Sequence, residues 1–132
     1  MTDTWTPDFA IGGAMARQLI TQQFPHLAAG ALEKVGAGWD HEVWRCGDVL
    51  FRFPHQESSL TAARDRASAL TRLGPLLPLA VPAPILYGQP SASYPGHFVG
   101  YRWIDGQLPA RLALTTQDRD RAAPALARFT RA

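Results

Sequence analysis

Gly36, Gly38 and Arg52 are the residues whose types and spacing could do chemistry, and the chemistry they suit is holding a polyphosphate. They lie in the stretch Val35 to Pro54, which reads V-G-A-G-W-D-H-E-V-W-R-C-G-D-V-L-F-R-F-P. Glycine carries no Cβ, so the backbone at Gly36 and Gly38 can approach phosphate oxygens closely. Arginine presents a planar fork that chelates two oxygens at once, which lysine cannot do. Transfer of a phosphoryl group asks for such a cation beside the phosphates.

The elements that must position these residues form a hairpin. Glu42 to Cys46 alternates, with Val43 on one side and Trp44 on the other. Gly47-Asp48 supplies a two-residue turn in which glycine can take positive φ. On the return strand Val49, Phe51 and Phe53 share one face, and Leu50 and Arg52 share the opposite one. If the apolar face packs on a helix, Leu50 lies against a flat base and Arg52 reaches phosphate oxygens. The glycine spacing Gly36, Gly38, Val43 matches the protein-kinase pattern G-x-G-x-x-G-x-V at three of its four fixed places, His41 standing for the third glycine. Other readings stay open on these residues alone. A lone G-x-G and a G-D hairpin occur in many β proteins, and a strand arginine is commonly a solvated edge residue.

The chain has 132 residues, enough for one compact domain or one lobe of a larger one. An apolar content of 46% supports a real core, and a formal charge of +2, small and unclustered, does not argue for nucleic acid or an anionic membrane as partner. No basic stripe with interleaved aromatics points to nucleic acid either. The single cysteine, Cys46, excludes an intrachain disulfide and suits a reducing cytoplasm. The start M-T-D-T-W-T-P-D carries no basic-then-apolar signal, and no apolar run reaches membrane-spanning length.

Along the chain, residues to about 11 read as an irregular arm. Gly13 to Phe24 reads as a helix stopped by Pro25, and Leu32 to Val35 as a first strand. Ser58 or Ser59 caps a second helix running to Leu73, with Leu60, Ala63, Ala67, Leu70 and Leu73 at helical spacing. The run L-L-P-L-A-V-P-A-P cannot form a central strand. Ile85 to Gly88 and His97 to Ile104 read as two more strands. Thr115 or Thr116 caps a last helix with Ala122, Leu126 and Phe129 on one side. The expected fold class is α+β: a five-stranded antiparallel sheet with a helix on one face, preceded by an N-terminal helix.

In this order the chain resembles the aminoglycoside phosphotransferase family of the protein-kinase-like fold. G-A-G-W-D-H-E-V is similar to the family's G-x-G-W-D-N-x-V turn, and F-R-F-P to its strand ending in R-x-P. V-P-A-P-I-L-Y-G-Q-P followed by S-Y-P-G-H-F-V-G-Y-R-W-I-D-G resembles its P-x-P, Y-P and Y-R-W-x-x-G segments. The resemblance implies residues 12–104 as the nucleotide-cradling small lobe, after a 1–11 arm. Residues 105–132 would be the linker and the start of the first large-lobe helix. It implies Gly36, Gly38, Trp39 and Asp40 as the phosphate-side turn, Leu50 against the base, and Arg52 as the phosphate cation. Arg102 to Ile104 would be the hinge, whose backbone groups at Arg102 and Ile104 hydrogen-bond the purine, with Tyr101 behind the base. For Trp39 and Trp103, plain packing is the competing reading.

Two departures stand out. The family places a glutamate on the second helix, four residues before a leucine matching Leu70, to pair with the strand cation; here that residue is Arg66. Asp65 is adjacent but faces about 100° away. There is also no H-x-D-x-x-x-x-N loop and no metal-binding aspartate after it. Asp118 and Asp120 of D-R-D-R do not substitute, since two residues apart on a helix they face different ways. The expectation is therefore a lobe of a small-molecule kinase that uses ATP or GTP with Mg²⁺ in the complete enzyme and is inactive alone, with no catalytic residue or metal ligand of its own. The alternative is a non-catalytic module that self-associates, as a homodimer through the hinge and last helix: Trp103, Ile104, Leu108, Leu112, Leu126 and Phe129.

Overall fold

A computed structural model describes residues 11–60, 62–106 and 113–131. Its elements are α1 (Gly12–Gln23), β1 (Leu32–Ala37), β2 (His41–Cys46), β3 (Val49–Pro54), α2 (Ala62–Leu73), β4 (Pro84–Gly88), β5 (Phe98–Arg102) and α3 (Thr116–Arg131). The five strands form one sheet in the order β1-β2-β3-β5-β4, with every neighbouring pair antiparallel. This is the expected α+β sheet.

The alternation of β3 decides where the core sits. Val49, Phe51 and Phe53 are buried against Ala16, Leu19 and Ile20 of α1, together with Phe98 and Tyr94. Phe98 stacks on Phe53 at 4.8 Å between ring centroids and touches Phe24, Phe51 and Tyr94 as well. Each such ring contributes about 1.5–3 kcal/mol by leaving water. The opposite face of the sheet carries Val99 and Tyr101, which pack on Ala67 and Leu70 of α2. The expected helix α2 thus packs on one face, and the N-terminal helix α1 covers the other.

Several local expectations shift for physical reasons. Gly47 does take positive φ, +60°, at the β2–β3 turn. β1 continues past Val35 through Gly36 and Ala37, because β2 offers partners at Val43 and Glu42. Pro84 opens β4, an edge strand, where a missing N–H costs nothing. Ser59 lies in a 3₁₀ turn, Glu57–Ser59, and its hydroxyl donates to the Gln56 and Asp40 carbonyls. It is therefore not the cap of α2, which begins at Ala62. β5 is shorter than expected, ending at Arg102. Ile11, assigned to the arm, is buried in the core, and the rest of the arm lies outside the described residues.

At the other helix starts the chain uses charge and reciprocity. The Gly12 N–H donates to the buried Glu42 carboxylate at 3.1 Å, an anion at the positive end of α1. Thr115 caps α3 as expected: its Oγ1 accepts from the Asp118 N–H, and Asp118 Oδ2 accepts from the Thr115 N–H. Among the described residues no helix is long and apolar enough to cross a membrane.

Candidate functional site

The glycine turn closes β1 onto β2. Its Gly38 N–H donates to the His41 carbonyl at 2.8 Å. Neither Gly36 nor Gly38 has positive φ. A Cβ built on either would meet no atom within 4 Å. Neither the turn's conformation nor its packing therefore demands glycine at these places. What the missing side chains leave is bare backbone facing open space.

The turn is held from the other side. The Trp39 carbonyl accepts from His55 Nε2 at 3.0 Å and from Gln56 Nε2 at 3.4 Å. The Asp40 carbonyl accepts from the His55 N–H at 2.9 Å and from the Ser59 hydroxyl at 3.3 Å. The sequence reading missed His55 and Ser59 in this role. Nothing in their spacing signals it, because their acceptors lie 16 and 19 residues earlier.

Arg52 and Leu50 do share a face, half-buried, on the α2 side of the sheet. Arg52 stands opposite Val43 on β2 and Val99 on β5, and Leu50 stands opposite Tyr101. From α2, Arg66 reaches the end of the glycine turn. Its Nη1 lies 3.4 Å from His41 Nε2 and its Nη2 4.0 Å from Asp40 Oδ2. His41 Nδ1 lies 2.5 Å from Asp40 Oδ1, in contact although off the line of a good hydrogen bond. With its proton on Nδ1, His41 can accept from Arg66 Nη1 at Nε2. Among the described residues no ion pair joins Asp65 or any other carboxylate to Arg52. The strand cation thus lacks the helix carboxylate that the resemblance led one to look for. Burial, and next the charge of Arg66, pull the Arg52 pKa below its ordinary value. Burial raises the Tyr101 pKa, and the two arginines partly offset it.

His41 makes the turn sensitive to acid. Burial lowers its pKa from the ordinary 6.5; Arg52 and Arg66 act the same way, and Asp40 pulls back without prevailing. On acidification the unfolded chain therefore binds the proton first. The stability this contributes is complete above pH 6.5 and is lost as the pH falls from there towards the folded-state pKa. For Asp40, burial raises the pKa, but contact with His41 and the Arg66 charge outweigh it and leave it below 3.8. Its contribution is lost at still lower pH. Urea midpoints measured down from pH 6.5 should fall, and His41→Gln should flatten that fall; an unchanged slope in the variant would exclude His41 as its source.

The expected hinge is partly spent. The Arg102 N–H donates to Ala83 O at 3.0 Å, and the Trp103 N–H to Asp48 O at 2.8 Å. Ile104, 46% exposed, follows them. The Arg45 guanidinium lies 3.9 Å over the Trp103 ring, and the indole N–H donates to Asp105, so Trp103 is engaged in packing. Trp39 is 62% exposed at the turn. α3 buries none of its residues, and Leu126 is exposed on it; Leu108 and Leu112 lie outside the described residues. A recess of about 240 Å³ between α2 and β4–β5 and one of about 340 Å³ beside the proline-rich connection include neither Arg52 nor the glycine turn. Among the described residues no cluster of three or more His, Cys, Asp or Glu could hold a metal ion.

With this geometry in view, the comparisons with known proteins are specific. The phosphotransferase enzyme family matches residues 31–132, and the chain belongs to that family. No curated protein matches it. Among solved structures, the GDP and kanamycin complex of APH(2")-IIia is 26% identical with a TM-score of 0.79, over 90% of this chain and 41% of that one. The GDP complex of wild-type aminoglycoside 2'-phosphotransferase-IIIa is 25% identical with a TM-score of 0.79, over 89% of this chain and 40% of that one. The streptomycin-ATP-APH(2")-IIa ternary complex shares the fold, with a TM-score of 0.60 at 18% identity, over 92% of this chain and 39% of that one. The chain thus spans about two fifths of the length of these proteins.

Proposed function

We propose that residues 12–104 form the nucleotide-cradling small lobe of an aminoglycoside-phosphotransferase-like small-molecule kinase. The single observation that carries this reading is the bare outer surface at Gly36 and Gly38 beside Arg52, a half-buried strand cation with no carboxylate partner among the described residues. Glycines that their own fold does not require make sense where something else must come close. The relatives' complexes with GDP and ATP support a purine nucleotide as that something.

In this reading the backbone from Gly36 to Asp40 receives the phosphates and Arg52 chelates their oxygens. Leu50 and Tyr101 border the base, and the hinge contacts its edge through the backbone at Ile104 and the carbonyl of Arg102. ATP or GTP would supply the γ-phosphoryl group, with Mg²⁺ entering on the phosphates. Residues 105–132 would lead into the part of the enzyme that holds the acceptor, an aminoglycoside or a related alcohol.

Titration with ATP and GTP, followed by backbone NMR shifts, tests the reading. Shifts should centre on residues 36–40, 52 and 104. Arg52→Ala should weaken binding by about 1.5–3 kcal/mol, the worth of hydrogen bonds to a charged group. Shifts that avoid the glycine turn and Arg52 would sink the assignment. A second reading, a module that self-associates through the hinge and α3, draws on the apolar side chain of Leu126 left 55% exposed. Light scattering that rises with concentration while nucleotides have no effect would favour it.

A further inference from the structure

Two guanidinium groups, Arg52 and Arg66, stand on the α2 side of the sheet near the glycine turn, with the Asp40 carboxylate against one of them. Arg52 comes from β3 and Arg66 from α2, near enough that the charge of Arg66 is felt at Arg52 and both are felt at Tyr101. Asp40 is the carboxylate at hand, 4.0 Å from Arg66 and 2.5 Å from His41. Asp65, next in sequence to Arg66, pairs with neither arginine among the described residues. Glu42 is occupied on the opposite face, where it accepts from the Gly12 N–H and the Trp44 indole. The cluster therefore carries a surplus of positive charge beside the turn whose glycines leave bare backbone.

Two like charges brought together with a single weakly held counter-charge are costly. Three features of Arg66 suggest a use for its charge. Its side chain is 39% exposed, so it can turn outward without opening the core. Its contact with Asp40 sits at the outer limit of an ion pair, and such exposed pairs hold weakly. Asp40 would not be stranded by its departure, because His41 Nδ1 stays in contact.

We propose that Arg66 is a second phosphate-binding cation, which leaves Asp40 for a polyphosphate when one settles on the glycine turn. The proposal rests on the nucleotide reading above and extends it. Arg52 and Arg66 would grip the chain of phosphates from β3 and α2, so the site would count phosphates. A triphosphate would engage both arginines and a monophosphate only one. Phosphate binding would also relieve the repulsion between the two arginines, which ties the position of α2 to the ligand.

The test uses the 132-residue chain with ATP, AMP and inorganic tripolyphosphate at one fixed ionic strength, read by calorimetry. Arg66→Ala and Arg66→Gln should each weaken ATP and tripolyphosphate about tenfold or more, and leave AMP nearly unchanged. Arg66→Gln is two atoms shorter but keeps a polar side chain with an N–H donor, so together with Arg66→Ala and thermal melts it separates loss of charge from loss of fold. Arg66→Glu gives the sharpest contrast. It reverses the charge facing Arg52 and also sets a carboxylate against Asp40, so it should weaken tripolyphosphate more than Arg66→Ala does, with thermal melts checking that the variant stays folded. If Arg66→Glu tightened ATP, or Arg66→Ala bound it as the parent does while Arg52→Ala still weakened it, Arg66 would have no such role and the nucleotide reading would stand. Failure of the parent chain to bind either ATP or tripolyphosphate would overturn both.

Discussion

Phe98→Ala should destabilise the chain by about 3–5 kcal/mol, the usual cost of deleting a buried aromatic ring. Phe98 is fully buried and lies at the centre of the aromatic cluster, against Phe24, Phe51, Phe53 and Tyr94. Small domains are stable by only about 5–15 kcal/mol, so the variant should sit close to unfolding. The glycine across the β4–β5 pair makes a sharper test. Gly88 faces Phe98, and a Cβ on Gly88 would fall 2.2–2.4 Å from three of its ring atoms. A ring enclosed on every side cannot step aside, so Gly88→Ala should cost about 1–3 kcal/mol by overpacking, or more. In the Phe98→Ala background the same methyl enters vacated space, and its cost should shrink by about 0.5–3 kcal/mol, the range of coupling between touching residues. Denaturant melts of the four proteins of this cycle would measure it. Additive costs would mean that the ring and the glycine do not meet.

What the sequence made legible was local or periodic. Period-two alternation placed Val49, Phe51 and Phe53 together and Leu50 with Arg52, because a strand sorts its side chains by parity alone. Gly47 and Thr115 were readable for the same reason, since a turn and a helix cap are settled within a few residues. The proline run marked its own exclusion from the sheet interior. The phosphate-side glycines were visible as a pattern, but their open surroundings are a property of the folded chain.

What stayed hidden was long-range. The sheet faces taken by α1 and α2 are set by strand order, since the apolar stripe of either helix could cover either face. Ser59 had the composition of a cap, yet Asp40 offered its hydroxyl a carbonyl from 19 residues away. Arg66 was visible as a departure from the family pattern, but its neighbours His41 and Asp40 come from the far end of the turn. The Trp103 N–H was lost to the hinge through Asp48, in the turn between two other strands.

The glycine turn offers the second large effect, and it separates function from fold. Gly36→Val and Gly38→Val each add a side chain where the structure has nothing within 4 Å and the backbone needs no positive φ. Folding should hardly notice. A β-branched residue suits the strand at Gly36, and replacing glycine where its special freedom is unused stiffens the unfolded chain, commonly by about 0.4–1 kcal/mol in favour of folding. Nucleotide binding should respond in the opposite direction. The added methyl groups stand where the phosphates must approach. The Gly38 N–H is already given to the His41 carbonyl, so the contacts at risk are those of the turn's other N–H groups, each costing about 1.5–3 kcal/mol if lost. Two lost contacts come to about 3 kcal/mol or more, over a hundredfold in affinity. Thermal melts and ATP titrations on the same samples decide the matter. Variants that melt with the parent and bind ATP as well as it does would mean that the bare backbone faces no phosphate. Variants that unfold would mean that the turn needed its glycines for itself.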